Sequence, residues 1–223
     1  MNFFVTGTDT GVGKTLVCCS LLHAFAARDK KVAGMKPVAA GCEENGVNED
    51  VKELRKATNI LASLGQINPY SFLHPIAPHI AARNSGVQIN LERILESYNE
   101  LASQADVVIV EGAGGFLVPL NETQDIADLV ETLDIPVIVV VGMKLGCLNH
   151  ALLTQHAINS RGLKFAGWLA NILDPEMPAL DENILSLQQR IRAPLLGIIQ
   201  HQPPVDPRLI ANQINLDLLA DEQ

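Results

Sequence analysis

The chain is short of positive charge. Its 16 Lys and Arg face 25 Asp and Glu, for a net charge of −9. Binding to a nucleic-acid backbone or an anionic membrane relies on clustered cations, so neither is expected as the main partner. A local basic site for one nucleotide stays open. Cysteine is also scarce. Cys18, Cys19, Cys42 and Cys147 form no C-x-x-C pair, and the adjacent two point to different faces of a predicted helix. This excludes a disulfide framework and argues against structural zinc. It is the thiol usage of a reducing compartment. The longest apolar run, Pro136 to Val141, is far too short to span a bilayer. A strand starting at residue 2 leaves no signal peptide, so a cytoplasmic location is expected. Internal repeats, low-complexity segments and linkers are absent.

What is present is a phosphate cradle near the start. Asn2-Phe3-Phe4-Val5-Thr6 reads as a short buried strand, and Leu16 to Arg28 as a helix. Between them runs Gly7-Thr8-Asp9-Thr10-Gly11-Val12-Gly13-Lys14-Thr15. Glycines let backbone N–H groups turn onto oxyanions, and a helix N-terminus adds partial positive charge. Lys14 supplies a mobile cation for the β and γ phosphates, and the Thr15 hydroxyl can coordinate Mg²⁺. The spacing is unusual: five residues separate Gly7 from Gly13, where the common pattern has four. Gly11, two before Gly13, occurs in the branch of partition ATPases and the nitrogenase iron protein. That branch carries a second lysine where this chain has Asp9.

Apolar runs recur down the chain and end on polar residues. Val32 to Met35 stops at Lys36-Pro37. In a parallel sheet the carboxyl ends of successive strands share one rim, so Lys36 emerges beside the phosphate loop. Ala39 to Glu49 reads as a mobile rim loop. A helix then runs from Asn48-Glu49-Asp50 to about Ser63. Asp50 is either a plain first-turn residue or, if the loop folds over, a carboxylate for the metal. Asn68 to Phe72 reads as a turn and a short extended piece. His74-Pro75-Ile76-Ala77-Pro78-His79 is a proline-punctuated rim segment leading into a helix, Ile80 to Asn84. Asn90 to Ala105 reads as an amphipathic helix.

Val107 to Val110 is a wholly apolar strand ending at Glu111-Gly112-Ala113-Gly114-Gly115. A carboxylate in that place, with Lys14 and Thr15 upstream, is positioned to hold Mg²⁺ directly or through water. Asp125 to Leu133 reads as a helix and Pro136 to Val141 as a strand. Gly142 to Asn149 is the next rim loop, with Asn149 as cap of a helix through Ser160. Gly146, Cys147, Leu148 and Asn149 present N–H groups at that helix start, either as plain capping or as a nest for a substrate carboxylate. Phe165 to Ala170 is a strand ending at Asn171, which is a turn residue or, with its paired donor and acceptor, a reader of an adenine edge. Met177 to Arg192 reads as a helix and Leu195 to Ile199 as a last strand. A Pro-rich rim segment and a short tail helix close the chain. The expected fold is a single α/β domain over 1–223, one doubly wound, mostly parallel sheet of about seven strands flanked by helices.

Five segments together resemble the dethiobiotin synthetases, in that family's order and over nearly the whole chain. They are Thr6 to Thr15, Gly34-x-Lys36-Pro37-Val38, Val110 to Gly115, Lys144 to Cys147 with Asn149-His150-Ala151, and Gly167-Trp168-x-Ala170-Asn171. The resemblance implies ring closure of 7,8-diaminononanoate with CO₂ and MgATP, through a carbamate and a carbamic–phosphoric anhydride. It makes Lys36 the active-site lysine and Thr15, Asp50 and Glu111 the metal set. Gly11, Val12, Gly13, Lys14, Thr15 and Leu16 become one nucleotide loop, and Glu111, Gly112, Ala113 and Gly114 another. Asn171 and Ile172, with Gln200, His201 and Gln202, fall to the base and ribose. Gly146 to Asn149 would reach the substrate carboxylate of a neighbouring subunit in a homodimer. Two departures stand out. Ala40 replaces a frequent serine, removing a hydroxyl from the substrate side, and Gln200-His201-Gln202 lacks the frequent proline. A switch ATPase of the partition branch is the main alternative, with Asp9 against it. A cobyrinic acid amide synthase–like enzyme would need a glutaminase domain for which the chain has no room.

Overall fold

A computed structural model gives the structure of residues 1–43, 46–201 and 205–219. In chain order its strands are β1 (Asn2–Gly7), β2 (Val32–Met35), β3 (Val38–Ala40), β4 (Tyr70–Phe72), β5 (Val107–Glu111), β6 (Val137–Met143), β7 (Phe165–Ile172) and β8 (Leu195–Ile199). Six make a parallel sheet in the order β2-β5-β1-β6-β7-β8, while β3 and β4 pair in a small sheet of their own. The helices are α1 (Lys14–Ala26), α2 (Glu49–Ala57), α3 (Leu64–Ile67), α4 (Pro78–Asn84), α5 (Leu91–Ala102), α6 (Ile126–Leu133), α7 (Cys147–Ser160), α8 (Leu180–Arg190) and α9 (Pro207–Ala211). A 3₁₀ turn, Leu216–Leu219, follows.

The apolar runs β5 and β6 are buried at every position, as strands covered on both faces must be. Alternate side chains feed two layers. Phe4, Val108, Val139 and Trp168 pack with Ile94 of α5, Val130 of α6 and Ile158 of α7. Phe3, Val5, Ile109 and Val140 pack on the other face with Val17 and Leu21 of α1 and Ile210 of α9. From β1 the chain turns to β2 on one side and later fills β6 to β8 on the other. The strand order therefore reverses beside β1, and a crevice opens at its carboxyl end.

Both edges of the main sheet are covered. The outward N–H groups of β2 donate to Asn59 Oδ1 (from Val32, 2.7 Å), Thr58 Oγ1 (from Gly34, 3.0 Å) and, just past the strand, the Ile67 carbonyl (from Lys36, 2.8 Å). At β8, Asn215 N–H donates to the Leu196 carbonyl at 2.8 Å. The backbone lies so close there that a Cβ on Gly197 would stand 2.5 Å from the Gln213 carbonyl oxygen.

The structure departs from the sequence expectation locally. The expected seven strands of one sheet are six, plus a separate pair. The expected rim loop from Ala39 begins instead within β3, which pairs in register with the extended piece at Tyr70–Phe72. The helix expected to reach Ser63 ends at Ala57, because Thr58 and Asn59 are spent on the edge of β2. A new turn of helix, α3, opens with a Ser63/Gln66 capping box. Asn149 does not cap α7; Gly146, at φ +93°, holds that position and Asn149 lies in the first turn. α8 starts at Leu180 rather than Met177, after Ala179 in the left-handed region.

Candidate active site

Glycine shapes the phosphate loop where a side chain would collide. Gly13 has φ +89°, and a Cβ on it would stand 2.3 Å from Asn171 Nδ2. A Cβ on Gly7 would stand 2.5 Å from the Val12 side chain. With Gly13 as its N-cap, α1 begins with no side-chain cap and no acidic residue in its first turn. Its amide groups and dipole are left for an anion. The loop is clasped from behind: Asn171 Nδ2 donates to the Val12 carbonyl at 2.8 Å, and Thr8 N–H donates to the Val140 carbonyl at 3.0 Å.

Three strand ends bring the charges together. Lys14 opens α1 and is buried, its Nζ donating to the Asp9 carbonyl at 3.0 Å. Burial pushes its pKa down, against the opposing charge of Glu111. Lys36 follows β2 and is only 5 % exposed. Its ammonium donates to Glu111 Oε1 at 2.5 Å and Asp50 Oδ2 at 2.7 Å. Burial alone would lower the Lys36 pKa, but the charges of Glu111 and Asp50 more than offset it and hold the group well above the usual lysine range. Burial would likewise raise the Asp50 pKa, and Lys36 overrides it, leaving a net depression. Asp50 sits in the first turn of α2, where Asn48 Oδ1 accepts its N–H at 2.9 Å. The same Asn48 amide donates to the Ala40 and Gly41 carbonyls, each at 3.2 Å. The helix start is thus tied to the end of β3.

Glu111 closes β5 and is 1 % exposed. Its Oε1 also accepts the Thr15 hydroxyl at 2.9 Å, while Oε2 is buried with no hydrogen-bond partner. An unpartnered carboxylate oxygen at that depth is costly unless something positive meets it. Two carboxylates and a hydroxyl suit Mg²⁺, which keeps several waters and takes phosphate oxygens rather than a full protein cage. No three of His, Cys, Asp and Glu converge among the described residues, so the fit rests on Thr15, Asp50 and the unpartnered Glu111 oxygen alone. The donor set therefore fits magnesium.

These groups face one cleft of about 680 Å³. Gly11, Gly13, Lys14, Thr15, Lys36, Ala40, Asp50, Glu111, Ala113 and Gly114 line it. Val12 is buried beneath the loop, Leu16 lies in the first turn of α1, and Gly112 packs on Phe4. Asn171 touches the back of the loop through its amide donor. Ile172 ends β7 and Gln200 follows β8, with His201 exposed beyond; none of them lines the cleft. Gln202 lies outside the described residues. Gly146, Cys147, Leu148 and Asn149 are also off the cleft of their own chain, with Gly146 and Asn149 exposed. Sequence reasoning missed an apolar wall made by Val38, Val118 and Pro75 to Pro78. The proline punctuation was its signal; the histidines on either side, His74 and His79, do not line the cleft.

A family model described as an AAA domain matches residues 1–208. Among solved structures, the MinD cell division protein of Aquifex aeolicus superposes with a TM-score of 0.57 over 98 % of this chain and 95 % of that one, at 16 % identity. That likeness concerns the fold. The ATP-dependent dethiobiotin synthetase of Nitrosospira multiformis is 55 % identical over 96 % of this chain and 95 % of its own. That of Aromatoleum aromaticum is 51 % identical, with 96 % of each chain covered. With the phosphate loop, the two buried lysines and this breadth of identity in hand, the chain belongs to the ATP-dependent dethiobiotin synthetase family.

Proposed function

We propose that the chain, acting as one domain over 1–223, joins CO₂ to 7,8-diaminononanoate and closes the cyclic urea of dethiobiotin at the expense of ATP. The observation that carries this reading is the Lys36 ammonium, buried between Asp50 and Glu111 in the cleft that also holds Lys14. One substrate amine adds to CO₂, forming an N–C bond and releasing a proton, to give a carbamate. A carbamate oxygen then attacks the γ-phosphorus and the bond to ADP breaks. The second amine attacks the carbonyl carbon of the mixed anhydride; the C–O bond breaks, phosphate leaves and a proton is lost.

The phosphorylation brings two anions together, so charge compensation is the protein's main task. Lys36 is held in its charged form, which suits it to bind the carbamate and the moving phosphoryl group rather than to take a proton. Lys14 leaves the Asp9 carbonyl for the β and γ phosphates, and the first turn of α1 cradles them. Thr15, Asp50 and Glu111 would hold Mg²⁺, which when bound neutralises phosphate charge. Asn171 and Ile172 lie at the end of β7, and Gln200 and His201 just past β8, the side from which base and ribose would be met. The apolar wall of Val38, Ile76 and Val118 suits the alkyl chain of the substrate, and Ala40 leaves that contact without a hydroxyl.

The site is read as shared in a homodimer, with Gly146 to Asn149 receiving the substrate carboxylate of the other subunit's site. In support, the segment opens α7 outside its own cleft, beside Leu145 at 95 % exposure. A cytoplasmic location accords with four free, buried cysteines, and no helix among the described residues is long and apolar enough to cross a membrane. The test is incorporation of labelled bicarbonate into a cyclic urea, with phosphate release dependent on diaminononanoate. Phosphate release indifferent to both compounds would count against the reading.

A further inference from the structure

We propose that Asn68 is a positioning residue for Lys36: it fixes the backbone from which the ammonium reaches the reacting groups. The proposal rests on the assignment of Lys36 under Proposed function. β2 is an edge strand, and Lys36 lies one residue beyond its last pair, Met35 with Val110. On the outer side no strand holds its main chain, and unpaired edge groups are free to drift. The stretch from Ile67 to Tyr70 takes that place. Lys36 N–H donates to the Ile67 carbonyl at 2.8 Å, and Tyr70 N–H donates to the Pro37 carbonyl at 3.1 Å. Asn68 Nδ2 donates to the Lys36 carbonyl at 2.7 Å and to the Tyr70 carbonyl at 2.9 Å.

The chemistry of that contact is specific. Asn68 is 7 % exposed, and one carboxamide nitrogen serves two buried carbonyls. An aspartate would point acceptors at acceptors, and a leucine would leave both carbonyls unmet. The arm is itself braced, since α3 carries the Ser63/Gln66 capping box and Asn68 N–H donates to the Leu64 carbonyl at 2.8 Å. Lys36 is a long side chain whose ammonium meets two carboxylates at 2.5 and 2.7 Å. With that end held, the position of the Cα sets the reach and angle from which the side chain presents its charge.

A matched control lies at the other end of the same strand. Asn59 also seals the β2 edge, its Oδ1 accepting Val32 N–H at 2.7 Å and its Nδ2 donating to the Lys30 carbonyl at 2.9 Å. Asn68→Leu and Asn59→Leu are compared for melting temperature, ADP affinity, kcat and KM. Both should melt lower. Asn68→Leu should lose roughly 10- to 100-fold in kcat, the scale of a misplacement near 1 Å. Its ADP affinity, and the kcat of Asn59→Leu, should stay within about twofold of the parent. If Asn68→Leu does not fold, Asn68→Ser keeps one donor on a shorter arm and should show the same split on a smaller scale. Equal kcat losses at the two positions, an unchanged kcat in a folded Asn68 variant, or a parallel loss of ADP affinity would overturn the proposal while Lys36 kept its role. Lys36→Gln is run alongside: turnover surviving in it would overturn the assignment of Lys36 and this proposal together.

Discussion

The phosphate loop has two unlike flanks. Toward β2 and β5, Lys36 and Glu111 are buried and share one ion network with half-buried Asp50. Toward β6 and β7, a neutral clasp, Asn171 on Val12, sits beneath an ion pair, Lys144 to Asp9 at 2.9 Å, that is close to half exposed. The same ionic contact has different worth on the two sides. Near water it is screened and contributes about 0–1 kcal/mol. Out of water each charge depends on its partner, and removing one leaves the other stranded. In the proposed reaction, charge compensation for two reacting anions falls to the dry flank. The wet flank suits holding the loop's shape and meeting solutes at the rim.

Substitutions on each flank can break this contrast. The largest effect is expected for Lys36→Gln: product formation should fall by at least roughly 10²- to 10³-fold, with ADP still bound and the chain folded, checked by single-turnover ring closure and calorimetry. Next comes Gly13→Ala. Its φ of +89° and the nearby Asn171 amide predict about 1–3 kcal/mol of strain in the folded loop, read as a lower melting temperature, and a weaker nucleotide affinity wherever the loop shifts to relieve it, read by direct binding. Glu111→Gln should raise the magnesium requirement on the order of tenfold, read from a magnesium titration of turnover. Lys144→Met should cost less than about 1 kcal/mol of stability, and its small effect should vanish in high salt; a larger cost that persisted in high salt would erase the distinction between flanks.

Acid and base separate the flanks less sharply. The Asp50 pKa is depressed on folding, so its contribution is present above the unfolded value near ~4 and fades as pH falls through the lower folded value. The Lys36 pKa is raised, so its contribution is present below ~10.4 and fades as pH rises through the higher folded value. Thermal stability should therefore be level between these limits as far as this network is concerned. A melting temperature that changed steeply near neutrality in the parent, but not in Lys36→Gln, would contradict the pairing.

How far the site could be read from sequence followed from how local each signal is. β1, the glycine loop and α1 form one continuous stretch, and Lys36 and Glu111 each end an apolar run, so their shared rim could be inferred. The small β3–β4 sheet could not: three-residue strands carry no periodicity, and their partners lie some thirty residues apart. Thr58 and Asn59 read as helix and Asn68 as a turn residue, because their hydrogen-bonding work is done on the edge of a strand remote in sequence. Sequence puts the start of α7 three residues late, since Asn149 is a good capping type while the backbone turn needs the positive φ of Gly146. The chemistry of Asn171 suits a base reader, and its bond to the Val12 carbonyl depends on a tertiary contact that no local pattern carries.

The closed margins of the main sheet constrain how two copies can meet. With Thr58, Asn59 and Ile67 along β2, and Gln213 to Asn215 crowding β8 at Leu196 and Gly197, neither border offers, among the described residues, an uninterrupted ladder for an incoming strand. A second copy of the chain would therefore not prolong the main sheet; the surface open to any such contact is made of helices and rim loops.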